Sequence, residues 1–281
     1  MTPDYSPKGI GRLVDEAIAV YRAGFRTLAL PAAYLLLPVS LFVGLAQGLY
    51  MQTLTRAAPA AMDPLRYIGA ITGAYGILAA VVSVRSLIAL YYFACVLAAS
   101  PALLARRRVG PREFLKGGAS RFLWLFVISL VVGFAAGVGL LFLLVPGVLL
   151  YVYLSMAQPV AGIEGVALDR AFSRSFRLVT GSFWRTVGFF CAIGLIVFSL
   201  ETALTSFTSV EMIVQQLSGA ASGNPLPALG WQVFDGLVQG VAQTLTLPLL
   251  YVGWVLYYLD LRSRREGMDL LVRAQEMART A

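Results

Sequence analysis

Long runs of apolar residues, separated by short basic segments, constrain this chain more than any other feature. A helix needs about 20 mostly apolar residues to cross the hydrocarbon core of a bilayer, and such runs recur along the 281 residues. Hydrophobic residues make up 59% of the sequence and charged residues only 13%, whereas a soluble domain carries about 25% charged residues. We therefore expect an all-α, polytopic membrane protein.

The apolar runs predict six spans. They lie at 27–51, within 67–100, as a hairpin within 122–162, at 183–207 and at 231–259. The run 67–100 is too long for one span, so its first third is expected to form an extra helix outside the membrane. The turn of the middle hairpin is predicted in the small-residue run 133–139 rather than at 145–147, because a turn at 145–147 leaves a return helix too short to cross. Pro146 and Gly147 would then kink the return helix.

The whole chain, 1–281, is expected to be a single integral membrane domain. Residues 1–26 would form an interfacial helix, 27–100 the first hairpin, 101–162 a linker and the second hairpin, 163–259 an interfacial helix and the third hairpin, and 260–281 a tail. Helical apolar spacing in 10–21 and 168–179, and in a shorter segment at 111–116 broken by Gly117 and Gly118, predicts three repeats of interfacial helix plus hairpin. The alternative is that basic flanks and aromatic belts make any set of spans look alike.

Nearly all of the 22 lysines and arginines lie in four segments: before span one, between spans two and three, between spans four and five, and after span six. Positive residues stay on the cytoplasmic side, so both termini are predicted to be cytoplasmic in a bacterial inner (cell) membrane. The net charge of +8 then indicates orientation and attraction to anionic lipid headgroups, not nucleic-acid binding.

Particular arginines are expected to contact the cytoplasmic headgroups. They are Arg106, Arg107, Arg108, Arg174, Arg177, Arg262, Arg264 and Arg265. The consecutive arginines 106–108 could instead dock a cytoplasmic partner.

Three polar side chains are predicted to lie at one depth inside the membrane. At the helical rise, Arg85 and Glu201 are each about 24 Å, and Gln243 about 26 Å, from the cytoplasmic ends of their spans. We expect Arg85 and Glu201 to pair, with Gln243 nearby. Asp235, Gln239, Gln243 and Thr246 share one face of span six.

This intramembrane set has two interpretations. It could be a buried ion pair with interhelical hydrogen bonds that fix the packing of the spans. Alternatively, the charges could form a ligand or proton site in a transport path, since ionisable residues in lipid are costly.

Enzyme chemistry finds little support in the residues. The chain contains no histidine, which excludes histidine-based triads and the common histidine zinc sites. Cys95 and Cys191 lie in apolar runs and are expected to be small core residues rather than a disulfide or metal site. Glu201 and Asp235 are the only clustered acids that could act in catalysis. No enzyme activity, cofactor or metal is expected.

Several short motifs carry a resemblance to a known family. They are Pro146-Gly147-Val148, Ala157-Gln158-Pro159-Val160, Glu164-Gly165, Ala171-Phe172, the run 173–175, the run 178–181, the terminal run 258–267, and the opening segment 14–22. At these residues the chain resembles the membrane domain fused to some glycerophosphodiester phosphodiesterases, and related standalone six-span bacterial proteins. The phosphodiesterase module uses histidine and metal-binding carboxylates, so the resemblance implies a standalone membrane module without hydrolase activity.

The expected function is that of a non-enzymatic membrane module that organises lipid or supports a membrane protein partner. The alternative is a small transporter or lipid-translocating carrier with a polar site in the outer leaflet. The oligomeric state is left open by the sequence.

Overall fold

The computed structural model describes residues 7–57, 64–107, 109–142, 144–221 and 229–267. Helices dominate these residues, so the predicted all-α class is confirmed. The helices are α1 Ile10–Ala23, α2 Phe25–Ala57, α3 Pro64–Leu104, α4 Pro111–Phe142, α5 Leu144–Leu154, α6 Ala157–Glu164, α7 Leu168–Val179, α8 Phe183–Ala221 and α9 Leu229–Glu266.

Six segments of the described residues are long and apolar enough to cross a membrane, in agreement with the predicted number of spans. Five correspond to α2, α3, α4, α8 and α9, and the remaining one, Val145–Glu164, combines α5 with α6. Large apolar side chains lie on the outer surface, among them Leu65 at 83% and Phe134 at 75% exposure. An apolar surface of this kind suits lipid rather than water.

The predicted turn at 133–139 is wrong. Helix α4 runs through these residues to Phe142, and α5 begins at Leu144. A Cβ on Gly139 would lie 2.7 Å from the Cα of Gly147, so the small residues serve a close helix crossing instead of a turn. Pro146 falls in the first turn of α5, where a missing N–H costs little. The return span is long enough because α6 continues it after a break at Ser155.

Gly117 and Gly118 do not break the helix as predicted, since both lie inside α4. A Cβ on Gly118 would collide with the side chain of Cys95 in α3. The two glycines therefore allow α3 and α4 to approach closely, and residues 111–116 are simply the start of α4. The stretch 67–100 also lacks a separate outer helix, because α3 is one uninterrupted helix.

The two cysteines differ in environment. Cys95 is fully buried, as predicted, whereas Cys191 is exposed on α8, so the prediction for Cys191 is wrong. Helix α8 is apolar around its whole circumference, and only a small share of its span is covered by protein. Periodicity cannot show which face of such a helix meets the protein.

The amphipathic spacing predicted for residues 10–21 and 168–179 is confirmed by α1 and α7. Helix α1 buries Leu13, Val14 and Ala17, all on the predicted apolar face. Helix α7 buries Ala171, Ser175, Leu178 and Val179. Charged residues on the opposite faces are exposed, among them Arg12 and Asp15 of α1 and Arg170 and Arg177 of α7.

The chain forms two compact units. The first comprises Met1–Leu28, Leu90–Ile196 and Pro248–Ala281, and the second comprises Ala29–Ala89 and Val197–Leu247. The predicted headgroup arginines belong to the first unit. The predicted intramembrane polar residues belong to the second.

Candidate functional site

The first unit contains a buried acid at the end of α9, which we call the Asp260 cluster (Asp260, Arg185, Arg264 and the backbone of Lys8). The Asp260 side chain is only 2% exposed. The Lys8 N–H donates to Oδ1 at 2.7 Å, and Arg185 and Arg264 donate to Oδ2 at 2.7 and 2.9 Å. Both arginines also donate to the Lys8 carbonyl, at 2.6 and 2.8 Å. The cluster thus fastens the segment before α1 to α8 and α9.

A second ionic group, the Glu164 cluster, joins α6, α7 and α9. Glu164 has a side chain 11% exposed and lies 3.0 Å from Arg174 Nε and 3.7 Å from Arg262 Nη1. It also accepts a hydrogen bond from the Tyr258 hydroxyl. Glu266 pairs with the same two arginines at 2.7 and 3.0 Å. Each guanidinium therefore lies between two carboxylates. Arg174 and Arg262 make charge-assisted hydrogen bonds to Glu266, whereas their contacts with Glu164 are ion pairs.

Sequence reasoning assigned headgroup contact to Arg174, Arg262 and Arg264 of these clusters. It assigned no such role to Arg185 and none to the acidic partners. A signal was present, because Asp260 and Arg264, like Arg262 and Glu266, stand four residues apart and so share one face of a helix. The contact of these arginines with headgroups stays a prediction.

Two further arginines of the predicted set have different surroundings. Arg265 donates to the backbone carbonyl of Thr180, just after α7. Arg177 is exposed in the last turn of α7. Its guanidinium therefore lies where solvent or a headgroup can reach it.

The consecutive arginines between α3 and α4 are exposed where they are described. Arg107 pairs with Glu113 at 3.2 Å, with both side chains more than half exposed. Arg106 is exposed in the turn after α3. Arg108 lies outside the described residues. Exposed pairs of this kind contribute little to stability, so these residues are not held as the two clusters are.

In the second unit, the predicted polar residues form two hydrogen-bonded pairs. Asp235, 2% exposed, accepts a hydrogen bond from Gln239 Nε2 at 2.7 Å. Thr246, 1% exposed, donates to Glu201 Oε1 at 2.7 Å and so joins α9 to α8. Asp235 is buried and Glu201 is half-buried. Acids with neutral donors are costly in hydrocarbon, so these two pairs are the polar centre of the unit.

The remaining members of the predicted set are Arg85 and Gln243. Gln243 Oε1 is buried and has no hydrogen-bond partner in the part of the chain that the structure describes. Arg85 is half-buried in α3. The donor that the structure places on the Glu201 carboxylate is Thr246. The pairing of Glu201 with Arg85 stays a prediction.

Helices α2 and α9 approach closely in this unit, a contact that sequence reasoning missed. A Cβ on Gly236 would lie 2.6 Å from the Ser40 carbonyl oxygen, and one on Gly240 would lie 2.7 Å from Ser40 Cβ. A Cβ on Gly44 would collide with the Gln232 carbonyl. The spacing of small residues four apart on both helices is the usual signal for such a contact.

A groove of about 270 Å³ opens in the first unit. One wall is α4, with Ser120, Arg121, Trp124 and Leu125. The other wall includes the connection 165–167, which joins α6 to α7. It combines one cation with an apolar floor, and no sequence pattern pointed to it, because its walls come from distant parts of the chain.

Comparison with protein-family models, with curated proteins and with solved structures finds no match.

Proposed function

We propose that this protein is a non-enzymatic, multi-pass module of a bacterial inner membrane that binds anionic phospholipid. The binding surface would be its basic end, which carries Arg174, Arg185, Arg262 and Arg264. Both termini would be cytoplasmic, and the basic end would face the cytoplasmic leaflet. Lipid bound there would organise the surrounding membrane or a protein partner within it.

The observation that carries the proposal is the construction of the basic end. The Asp260 and Glu164 clusters hold Arg174, Arg185, Arg262 and Arg264 in defined positions on α7, α8 and α9. These clusters contain more arginines than carboxylates, so positive charge remains after the pairing. Preorganised guanidinium groups bind phosphate with less loss of side-chain entropy than free ones.

Lipid-dependent thermal unfolding tests this proposal. The purified protein in a neutral detergent would be heated with added phosphatidylglycerol or with added phosphatidylcholine. A ligand that binds only the folded state stabilises it by mass action, so phosphatidylglycerol is expected to raise the Tm more. The difference should shrink as salt is added, because salt screens the headgroup charge. Equal shifts for the two lipids at low salt would contradict the proposal.

A carrier is the second candidate, and one observation favours it. The second unit buries Asp235 and the unpartnered Oε1 of Gln243 on the same helix, and ionisable or unsatisfied groups in a membrane often mark a transport path. If the protein is a carrier, Gln243→Leu should abolish uptake or binding of a polar solute while the protein remains folded. If the polar pairs only fix packing, the same variant should change stability alone.

A further inference from the structure

We propose that the groove beside α4 is a specific site for the phosphate headgroup of one anionic phospholipid. The groove is bounded by Arg121 and Trp124 on α4 and by the connection 165–167 before α7. This inference rests on the proposed function, since it assigns to the same lipid class one site outside the Asp260 and Glu164 clusters.

Arg121 supplies the charge for this site. Its Nη1 donates to the Gly117 carbonyl one turn earlier at 3.3 Å. A guanidinium carries five N–H donors in a planar fork that matches a phosphate. The bond to Gly117 anchors the side chain against its own helix and uses one donor. The remaining donors are the ones that a phosphate in the groove would engage.

The opposite wall ends at Ala167, directly before the first turn of α7. The first hydrogen bond of α7 runs from the Ala171 N–H to the Ala167 carbonyl. The N–H groups of residues 168–170 come before it and have no acceptor within the helix. Ala167 occupies the N-cap position and gives no side-chain cap. Partial positive charge at this end of α7 adds to the charge of Arg121. The Asp169 carboxylate in the same turn offsets part of it, so Arg121 is the main attraction for a phosphate.

The apolar part of the groove selects a lipid over a soluble phosphate. Trp124 is 56% exposed and Leu125 is buried beneath it, on a helix long and apolar enough to span a membrane. Tryptophan at the end of a span lies at the headgroup level. The volume of about 270 Å³ is near the lower limit of small-molecule sites, roughly 300 Å³, so it fits a headgroup whose acyl chains remain in the bilayer.

Native mass spectrometry with defined lipids tests the site. Wild type, Arg121→Gln and the control Arg112→Gln would each be titrated with phosphatidylglycerol and with phosphatidylcholine. Arg112 is exposed in the first turn of the same helix and does not line the groove. Loss of a charge-assisted bidentate contact should weaken binding of the first phosphatidylglycerol about tenfold in Arg121→Gln. The control should change it less than about twofold, since an exposed charge attracts lipid only weakly.

A second variant separates binding from folding. Ala167→Asp places a favourable N-cap residue on α7 and a negative charge in the groove. It should keep or raise the Tm and yet weaken phosphatidylglycerol binding at least as much as Arg121→Gln. Unchanged affinity in a stable Ala167→Asp protein would overturn the site.

The remaining outcomes are also decisive. If wild type prefers phosphatidylglycerol but Arg121→Gln and Ala167→Asp bind it as well as wild type, the groove is not the site and the proposed function stands. If wild type shows no preference, both proposals fail.

Inorganic phosphate should compete with phosphatidylglycerol for the groove only at millimolar levels. Competition at micromolar levels would assign the groove to a soluble phosphate and overturn the lipid assignment.

Discussion

At the scale of single residues, Asp260 does more to hold the basic end together than any exposed charge. Its carboxylate is almost inaccessible, and it accepts from the Lys8 N–H and from two arginines. A buried acid with this many donors is well compensated for its lost hydration. An amide in its place could still accept from the Lys8 N–H, but it would put an NH2 donor against Arg185 and Arg264, which would keep only the Lys8 carbonyl as acceptor.

Asp260→Asn is therefore expected to lower the free energy of unfolding by about 2 kcal/mol, the range for a lost charged hydrogen-bond partner. The matched control is Glu113→Gln, which breaks an exposed pair with Arg107 and should cost less than about 1 kcal/mol. Unfolding in mixed SDS micelles, followed by helical circular dichroism, measures both. Equal losses in the two variants would show that the Asp260 cluster is not a structural centre.

Thr246 and Glu201 allow a residue-scale test of the polar pairs in the second unit. A double-mutant cycle with Thr246→Val and Glu201→Ala should give a coupling of about 0.6–1.7 kcal/mol, from the average to the largest value measured for interhelical hydrogen bonds in a membrane protein. A parallel cycle with Arg85→Ala and Glu201→Gln tests the predicted ion pair. Coupling in the second cycle but none in the first would reverse the partner assigned to Glu201.

At the scale of elements, the contact of α2 with α9 depends on glycine. Gly236→Val should destabilise the protein by about 1–3 kcal/mol, the usual cost of overpacking, because the new side chain meets the Ser40 backbone. Gly73→Ala in α3 is the control. A Cβ there meets nothing within 4 Å, and alanine is the better helix former, so that variant should be neutral or slightly more stable. A tolerated Gly236→Val would contradict the close contact.

The helices also differ in how far the sequence could predict them. The spans and the amphipathic faces of α1 and α7 follow from apolar periodicity, which is a local property. The turn between α4 and α5 was predicted too early, in 133–139, because a later turn leaves a return helix that looks too short. The continuation of that span by α6 after Ser155 is not apparent from the sequence. The acidic partners Glu164 and Asp260 were missed for a related reason, since their value depends on arginines brought together only by the fold.

For the whole molecule, we predict one orientation in the membrane, with both termini and the basic segments on the cytoplasmic side. Single cysteines would be introduced in a background carrying Cys95→Ala and Cys191→Ala. Ser222→Cys lies between predicted spans five and six, and Ala281→Cys lies in the predicted cytoplasmic tail. An impermeant maleimide added to intact spheroplasts should label Ser222→Cys at once, and Ala281→Cys only after lysis, because basic segments remain cytoplasmic. The opposite labelling would invert the topology and place the basic end outside.

The central claim is that the basic end binds anionic phospholipid. Native mass spectrometry of the wild-type protein, extracted gently from its own membrane, tests it most directly. The protein is expected to retain anionic phospholipid under activation that removes zwitterionic lipid, since charge-assisted hydrogen bonds hold the headgroup. A protein that carries no anionic phospholipid, and instead releases a small polar solute, would contradict the claim and favour the carrier.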